Sequence, residues 1–171
     1  LAENQEIVLS DLDVEEPNLH LFLKPEIEKT EPVSMEIPLL NAERCTSCGE
    51  CSDICQFKAI CKMGEMILTF PEMCHGCGGC LAVCPEHALT PGGRPLGEMC
   101  SGAFGKQQFI MGRLRVGEAM SPPLMREVKH SLDKYLETNG GDALLDAPPG
   151  VSCPAMNAVM DSDVILLVTE P

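Results

Sequence analysis

The sequence predicts an α/β protein whose partial parallel sheet is interrupted by a small, cysteine-rich α+β module. Three observations carry this. Eleven cysteines occur in 171 residues, nine of them between positions 45 and 84. That stretch repeats itself after 29 residues. On either side of it, strand-sized apolar runs alternate with helix signals. The runs lack polar alternation, as parallel strands buried on both faces do.

In chain order, Ile7-Val-Leu-Ser10 reads as a short strand ending in Asp11, followed by a helix through Leu19, Leu21, Phe22 and Leu23. Glu28 to Glu36 is charged, with Pro25 and Pro32 nearby, and reads as a connector. The module is expected over 42–91, closed by Pro91-Gly-Gly93, with 1–41 and 92–171 forming the two parts of the flanking domain. Gln108 to Leu114 is a second strand. Ser121-Pro122 then caps a helix whose Leu124, Val128, Leu132, Tyr135 and Leu136 share one face, and Asn139-Gly140-Gly141 stops it. Ala143-Leu-Leu145 is a strand ending in Asp146, Pro154 to Met160 a helix, and Val164 to Thr169 the last strand.

The repeat superposes Glu43 on Glu72, Gly49 on Gly78, Ala59 on Ala88, and four cysteines on four. Each half reads C-x2-C-x2-C-x3-C. A tight loop brings three thiolates to three irons of one cubane, and the fourth, beyond a short helical turn, reaches the other cluster. On that logic Cys45, Cys48, Cys51 and Cys84 hold one 4Fe–4S cluster, and Cys74, Cys77, Cys80 and Cys55 hold the second. Gly49, Gly76, Gly78 and Gly79 suit close backbone approach to sulfide. The competing reading is zinc, whose four-cysteine sites usually come as two separated pairs. The pattern resembles bacterial-type dicluster ferredoxins over about 50 residues. Gln56 stands where Pro85 stands in the second half, a change expected to loosen a turn without removing a ligand. Cys61, Cys100 and Cys153 are left over as reduced thiols, and His75 and His87 as surroundings of the clusters.

Bulk composition narrows the partners. Twelve Lys and Arg against 26 Asp and Glu give a formal charge of −14, which repels phosphate backbones and argues against nucleic acid. An acidic surface suits a basic redox partner protein, and it equally suits a merely soluble protein. The longest apolar runs, such as Val164 to Val168, are far too short to span a bilayer. Heavy cysteine usage at metal-ligand spacing, with no signal peptide, points to the reducing cytoplasm.

The flanks carry a second set of candidates. Acids that end parallel strands are placed where α/β sheets gather ligands, and they are also common turn formers. The stretches Asp11-Leu-Asp13-Val-Glu-Glu-Pro-Asn18, Asp146-Ala-Pro-Pro-Gly150 and Leu166-Leu-Val-Thr-Glu-Pro171 resemble the MinD/ParA-type deviant P-loop ATPases, in particular those with an inserted ferredoxin domain. The resemblance implies a nucleotide-binding domain that uses ATP and Mg²⁺. In it Asp11 and Asp13 belong to a first switch, Asp13 orienting water. Asp146 is the Mg²⁺-side acid of a second switch running through Gly150, and Thr169 and Pro171 approach the base. It also implies a nucleotide-dependent homodimer.

The Gly-rich phosphate loop of such ATPases is missing. Gly102-Ala-Phe-Gly105-Lys106-Gln107 has the wrong glycine spacing, lacks the following Ser/Thr, does not follow an expected strand, and reads as a surface loop. The chain, opening at Leu1-Ala2-Glu3, is therefore expected to be a piece of a longer ATPase and not to hydrolyse ATP by itself. Three functions follow as expectations: an ATPase switch coupled to electron transfer or partner docking, a simple electron carrier, or an assembly factor for iron–sulfur or other metallocofactors.

Overall fold

The computed structural model describes residues 7–169, which divide into two compact units, one formed by the chain up to Val33 and from Leu96 onward, the other by Ser34–Pro95. Seven strands and five α-helices are present among the described residues. Strands β1 (Ile7–Asp11), β2 (Glu26–Leu40), β5 (Leu89–Phe104), β6 (Gln107–Leu114) and β7 (Asp142–Asp146) form one sheet in the order β2-β5-β6-β1-β7. Strand β1 runs parallel to β6 and to β7, whereas β5 and β6 are antiparallel. The expected strands β1, β6 and β7 are parallel, and the sheet is mixed because β5, a strand not expected from the sequence, pairs antiparallel with β6 in a hairpin. Its turn is Gly105-Lys106, with Gly105 at φ +62°, so the glycine-bearing stretch 102–107 is a hairpin end whose first residues belong to a strand.

In the first unit, β1 sends alternate side chains to two cores. Val8 joins Leu12, Val14, Ile110 and the apolar stripe Leu124, Met125, Val128 and Leu132 of α4 (Ser121–Asn139). Leu9 packs instead with Phe109, Met111 and Cys100, beside Leu19 and Leu23 of α1 (Leu19–Leu23). Helix α4 begins at Ser121, but that hydroxyl makes no cap and donates to Glu15 Oε1 at 2.7 Å, correcting the expected N-cap. The helix stops at Gly140, at φ +71°, whose N–H returns to the Leu136 carbonyl. Lys129 ties α4 to the end of α5 (Cys153–Val159) by donating to the carbonyls of Asn157 and Met160.

The α4–β6 contact depends on a missing side chain. A Cβ at Gly112 would lie 2.7 Å from Val14 Cγ1 and 2.9 Å from Val128 Cγ2, both on stiff β-branched residues. Gly112→Ala is expected to destabilise the first unit by about 1–3 kcal/mol. Thermal melting should show a drop of about 2–4 °C per kcal/mol.

Two stretches expected to lack regular structure lie in strands. Residues 28–36 lie inside the 15-residue strand β2, and Pro91-Gly-Gly93 lies inside β5. Strand β2 is an edge of the sheet. The first half of β5 has β2 beside it but no pairing with β6, which meets only Gly97–Phe104. Prolines at 32, 38, 91 and 95 are tolerated where a strand has an open side. The expected strand over Val164–Thr169 is also corrected. No strand is assigned there, and Val164 to Val168 are exposed. An apolar run becomes a strand only by hydrogen bonding to a neighbour, and it pairs with none of the described strands.

In the second unit, α2 (Glu50–Ile54) and α3 (Gly79–Val83) flank the antiparallel hairpin of β3 (Ile60–Met63) and β4 (Met66–Thr69). A single turn of 3₁₀ helix spans Pro71–Met73. The sequence repeat is also a backbone repeat. Left-handed residues recur at the 29-residue offset: Ser47 and Gly76, Gly49 and Gly78, Lys58 and His87, with φ between 45° and 100°. Non-glycine residues in this region are uncommon, so three shared positions show two copies of one local fold.

Candidate metal centres

Each copy builds its loop the same way. Gly49 and Gly78 take the left-handed conformation immediately before α2 and α3, turning the C-x2-C loop back so that the third cysteine enters the helix. Cys55 and Cys84 follow the ends of those helices in extended conformation, which points each away from its own loop. The result is an exchange. Cys74, Cys77 and Cys80 line one cavity together with Cys55 from the other copy. Cys45, Cys48 and Cys51 line a second pocket together with Cys84.

Much of the two linings corresponds at the repeat offset. Gly78 and Gly49, Ala59 and Ala88, and Ile60 and Leu89 occupy matching places. Around both sites the cysteines pack with Ile60, Ile67 and Leu89 in an apolar core. Cys51 and Cys74 are buried, Cys48 and Cys77 are exposed, and the other four are intermediate.

The surroundings are poor for bare thiolates and good for ligands of a cationic iron core. Burial pushes the Cys51 and Cys80 thiols up, and neighbouring cysteines push them further. Cys55 is the exception. Burial raises it, but the backbone amides of Ile60, Ala59, Phe57 and Lys58 outweigh that and hold it below the usual thiol value. Amides also reach the sulfurs directly, from Ala88 to Cys84 Sγ at 3.2 Å and from Gly76 to Cys74 Sγ at 3.5 Å. Such donors favour the anionic sulfur that iron requires. Among the described residues no three His, Cys, Asp or Glu converge on one metal-ion position. A single zinc needs its sulfurs about 2.3 Å from one point. A cubane instead spreads four ligands over four irons around a central volume, and each lining supplies four cysteines.

The remaining cysteines stand elsewhere. Cys61 lies on β3, Cys100 is buried and accepts from Thr30 Oγ1 at 3.6 Å, and Cys153 is exposed at the start of α5. His75 lines the larger cavity and stacks on Phe57, with ring centroids 3.5 Å apart.

Comparison with known proteins bears on this constellation. Residues 37–88 match the family described as the 4Fe-4S dicluster domain. The chain carries a ferredoxin-type iron–sulfur domain. Two uncharacterized proteins of Methanocaldococcus jannaschii are similar to the chain over nearly all of its length. One is 37% identical over 166 residues, covering 96% of this chain and 57% of the relative. The other is 26% identical over 171 residues, covering 99% and 60%. The chain thus spans about three-fifths of the length of the curated relatives it matches. No helix among the described residues is long and apolar enough to cross a membrane.

The acids of the first unit form a separate group. Strand register sets Asp11 beside Asp146 at the carboxyl ends of β1 and β7. Asp11 is buried, and both its oxygens are occupied: Oδ1 accepts the Asp13 N–H at 3.0 Å and Oδ2 the Leu19 N–H at 2.9 Å. Burial holds its carboxyl above the ordinary value, and Asp146 adds to the rise. Burial raises Asp146 as well, followed by the charge of Asp13. Gly150, at φ +87°, lies in the bend after β7, and Thr169 is exposed. Pro171 lies outside the described residues.

Proposed function

We propose that Cys45, Cys48, Cys51 and Cys84 hold one 4Fe–4S cluster, that Cys74, Cys77, Cys80 and Cys55 hold another, and that the domain exchanges single electrons with a partner protein. One observation carries this reading: each cavity is lined by three thiols of one repeat and the fourth of the other. When bound, each cluster supplies a one-electron couple within a window of about −700 to +450 mV. The chain's part is to supply thiolates, to aim amides at their sulfurs, and to cover the site with Ile60 and Leu89. Protein prepared without oxygen is expected to contain about eight irons and eight sulfides per chain, and to give the magnetic signature of two reduced cubanes on chemical reduction. One or two zinc ions per chain, with no sulfide, would overturn it.

A finer reading concerns the longer protein. Adjacent carboxylates at the ends of parallel strands support a nucleotide site of MinD/ParA type, with Asp13 and Asp146 facing Mg²⁺ and water, and Gly150 and Thr169 near the nucleotide. In this reading Asp11 is a loop anchor, since its oxygens are already engaged. The protein acts in the cytoplasm and pairs with a second copy when ATP is bound. Full-length protein should hydrolyse Mg²⁺·ATP and lose that activity in Asp13→Asn. Absence of hydrolysis in the full-length protein removes the nucleotide reading and leaves the electron carrier standing.

A further inference from the structure

Each cysteine loop is pinned by the residue at one equivalent position, through different chemistry. In the first repeat the Ser47 hydroxyl donates to the Glu65 carbonyl at 2.7 Å. At the repeat offset of 29, Glu65 corresponds to Arg94, which donates through Nη1 to Glu72 Oε2 at 3.2 Å. Glu72 sits in the 3₁₀ turn Pro71–Met73, whose Pro71 carbonyl accepts the Cys74 N–H at 3.1 Å. The ion pair therefore holds the turn from which Cys74 departs. Its two ends differ in surroundings, the Arg94 side chain being 5% exposed and that of Glu72 74%.

Strand geometry explains how a guanidinium comes to be buried there. Gly93 of β5 faces Ser34 of β2, a Cβ on the glycine lying 3.7 Å from Ser34 Cβ. Side chains alternate along a strand, so Arg94 and Met35 share the opposite face, and both are buried. Met35 reaches Gly76, where a Cβ would lie 2.8 Å from Met35 Cγ and 3.1 Å from the Glu36 carbonyl oxygen. Residues 72 to 76 thus lie across the β2–β5 pair, held by Arg94 at one end and Met35 at the other. The buried Cys74 is between them.

Resting on the cluster reading above, we propose that Arg94 is a positioning residue of the site formed by Cys74, Cys77, Cys80 and Cys55. It holds the Cys74 loop through Glu72, and its charge favours the reduced cluster. A guanidinium stays protonated in proteins, so burial does not neutralise it. Taking up an electron makes a cluster more negative, and a fixed cation shielded from water offsets that charge. Glu72 opposes the effect only weakly, because water screens an exposed carboxylate. Glu36, which lines the same cavity, is common to every variant below and cancels in the comparison.

The test uses the whole chain, loaded without oxygen, in two backgrounds that isolate the sites. Cys84→Ala keeps the Cys55-containing cluster, and Cys55→Ala keeps its twin. In the first background Arg94→Met should speed iron loss to a ferrous chelator about tenfold, the worth of one charged hydrogen bond. It should also lower the reduction potential by about 59 mV, a tenfold change in the one-electron equilibrium. Arg94→Lys keeps the charge and should return the potential to that of the background. Glu72→Ala frees the same loop and should also speed iron loss, but it removes the opposing charge, so the potential should rise. A purely structural pair would move both potentials the same way or neither. In the second background iron loss should stay unchanged, because Ser47 pins that loop. Equal acceleration in both backgrounds, no acceleration in the first, or potential shifts of one sign overturn the role of Arg94 while the cluster reading stands. If Arg94→Met fails to fold, Glu72→Ala, at an exposed position, carries the same test. A parent chain without iron and sulfide overturns the cluster reading itself.

Discussion

Cys84→Ala is expected to halve the iron, and the half lost belongs to the site whose other ligands lie more than 30 residues upstream at Cys45, Cys48 and Cys51. The physical reason is reach. Cys84 follows the end of a five-residue helix in extended conformation, so its sulfur leaves the loop that holds Cys74, Cys77 and Cys80. The amide of Ala88 meets that sulfur at 3.2 Å, fixing it in the pocket of the first repeat. Pairwise substitution separates exchanged from unexchanged ligation. Cys48→Ala combined with Cys84→Ala should still leave about four irons, because both changes strike one cubane. Cys77→Ala combined with Cys84→Ala should leave none. The opposite pattern of iron and sulfide would show that each repeat closes on itself.

Asp11→Ala should unfold the first unit at markedly lower temperature while leaving the iron content unchanged, since all eight candidate ligands lie between Ser34 and Pro95. Asp11 is 1% exposed and accepts two backbone N–H groups, from Asp13 and from Leu19 at the start of α1. Its removal takes the acceptor from two part-buried backbone donors, at up to about 1–3 kcal/mol each. The melting temperature should fall by about 2–4 °C per kcal/mol. Asn at this position restores one acceptor and should recover part of the loss. The pH dependence has a definite sign. Burial raises the Asp11 carboxyl above 3.8, so the folded chain holds its proton more tightly than the unfolded one. Stability from this group is complete below about 3.8 and declines as pH rises through the raised value. Circular dichroism melts of the two variants and the parent, with iron determined in parallel, check both statements.

Local sequence carried far in the second unit. The C-x2-C-x2-C-x3-C loops, with glycines at 49 and 78, fix a compact turn and a short helix almost without tertiary help, because left-handed backbone and helix start are decided within a few residues. The stripe from Leu124 to Leu136 likewise fixed α4. Comparing the two repeats for their identities found the cysteines.

Where sequence reasoning failed, the deciding partner was distant. Pro32, Pro38, Pro91 and Pro95 are strand breakers on composition, but β2 and the first half of β5 each have an unpaired side that needs no N–H. Ser121 carried a capping signal, and Glu15, more than 100 positions away, took its hydroxyl. Val164 to Val168 has the composition of a buried strand, yet a ladder needs a neighbour as well as propensity.

By itself, the amino-acid order determined which sulfurs are available, their loop spacing, the duplicated turns and the main amphipathic helix, all set by interactions within a few residues. Only the tertiary structure decided the mixed sheet, the length of β2 and β5, and the burial of Asp11. Each of these depends on which remote backbone or side chain fills the space alongside, and periodicity along one chain does not specify that.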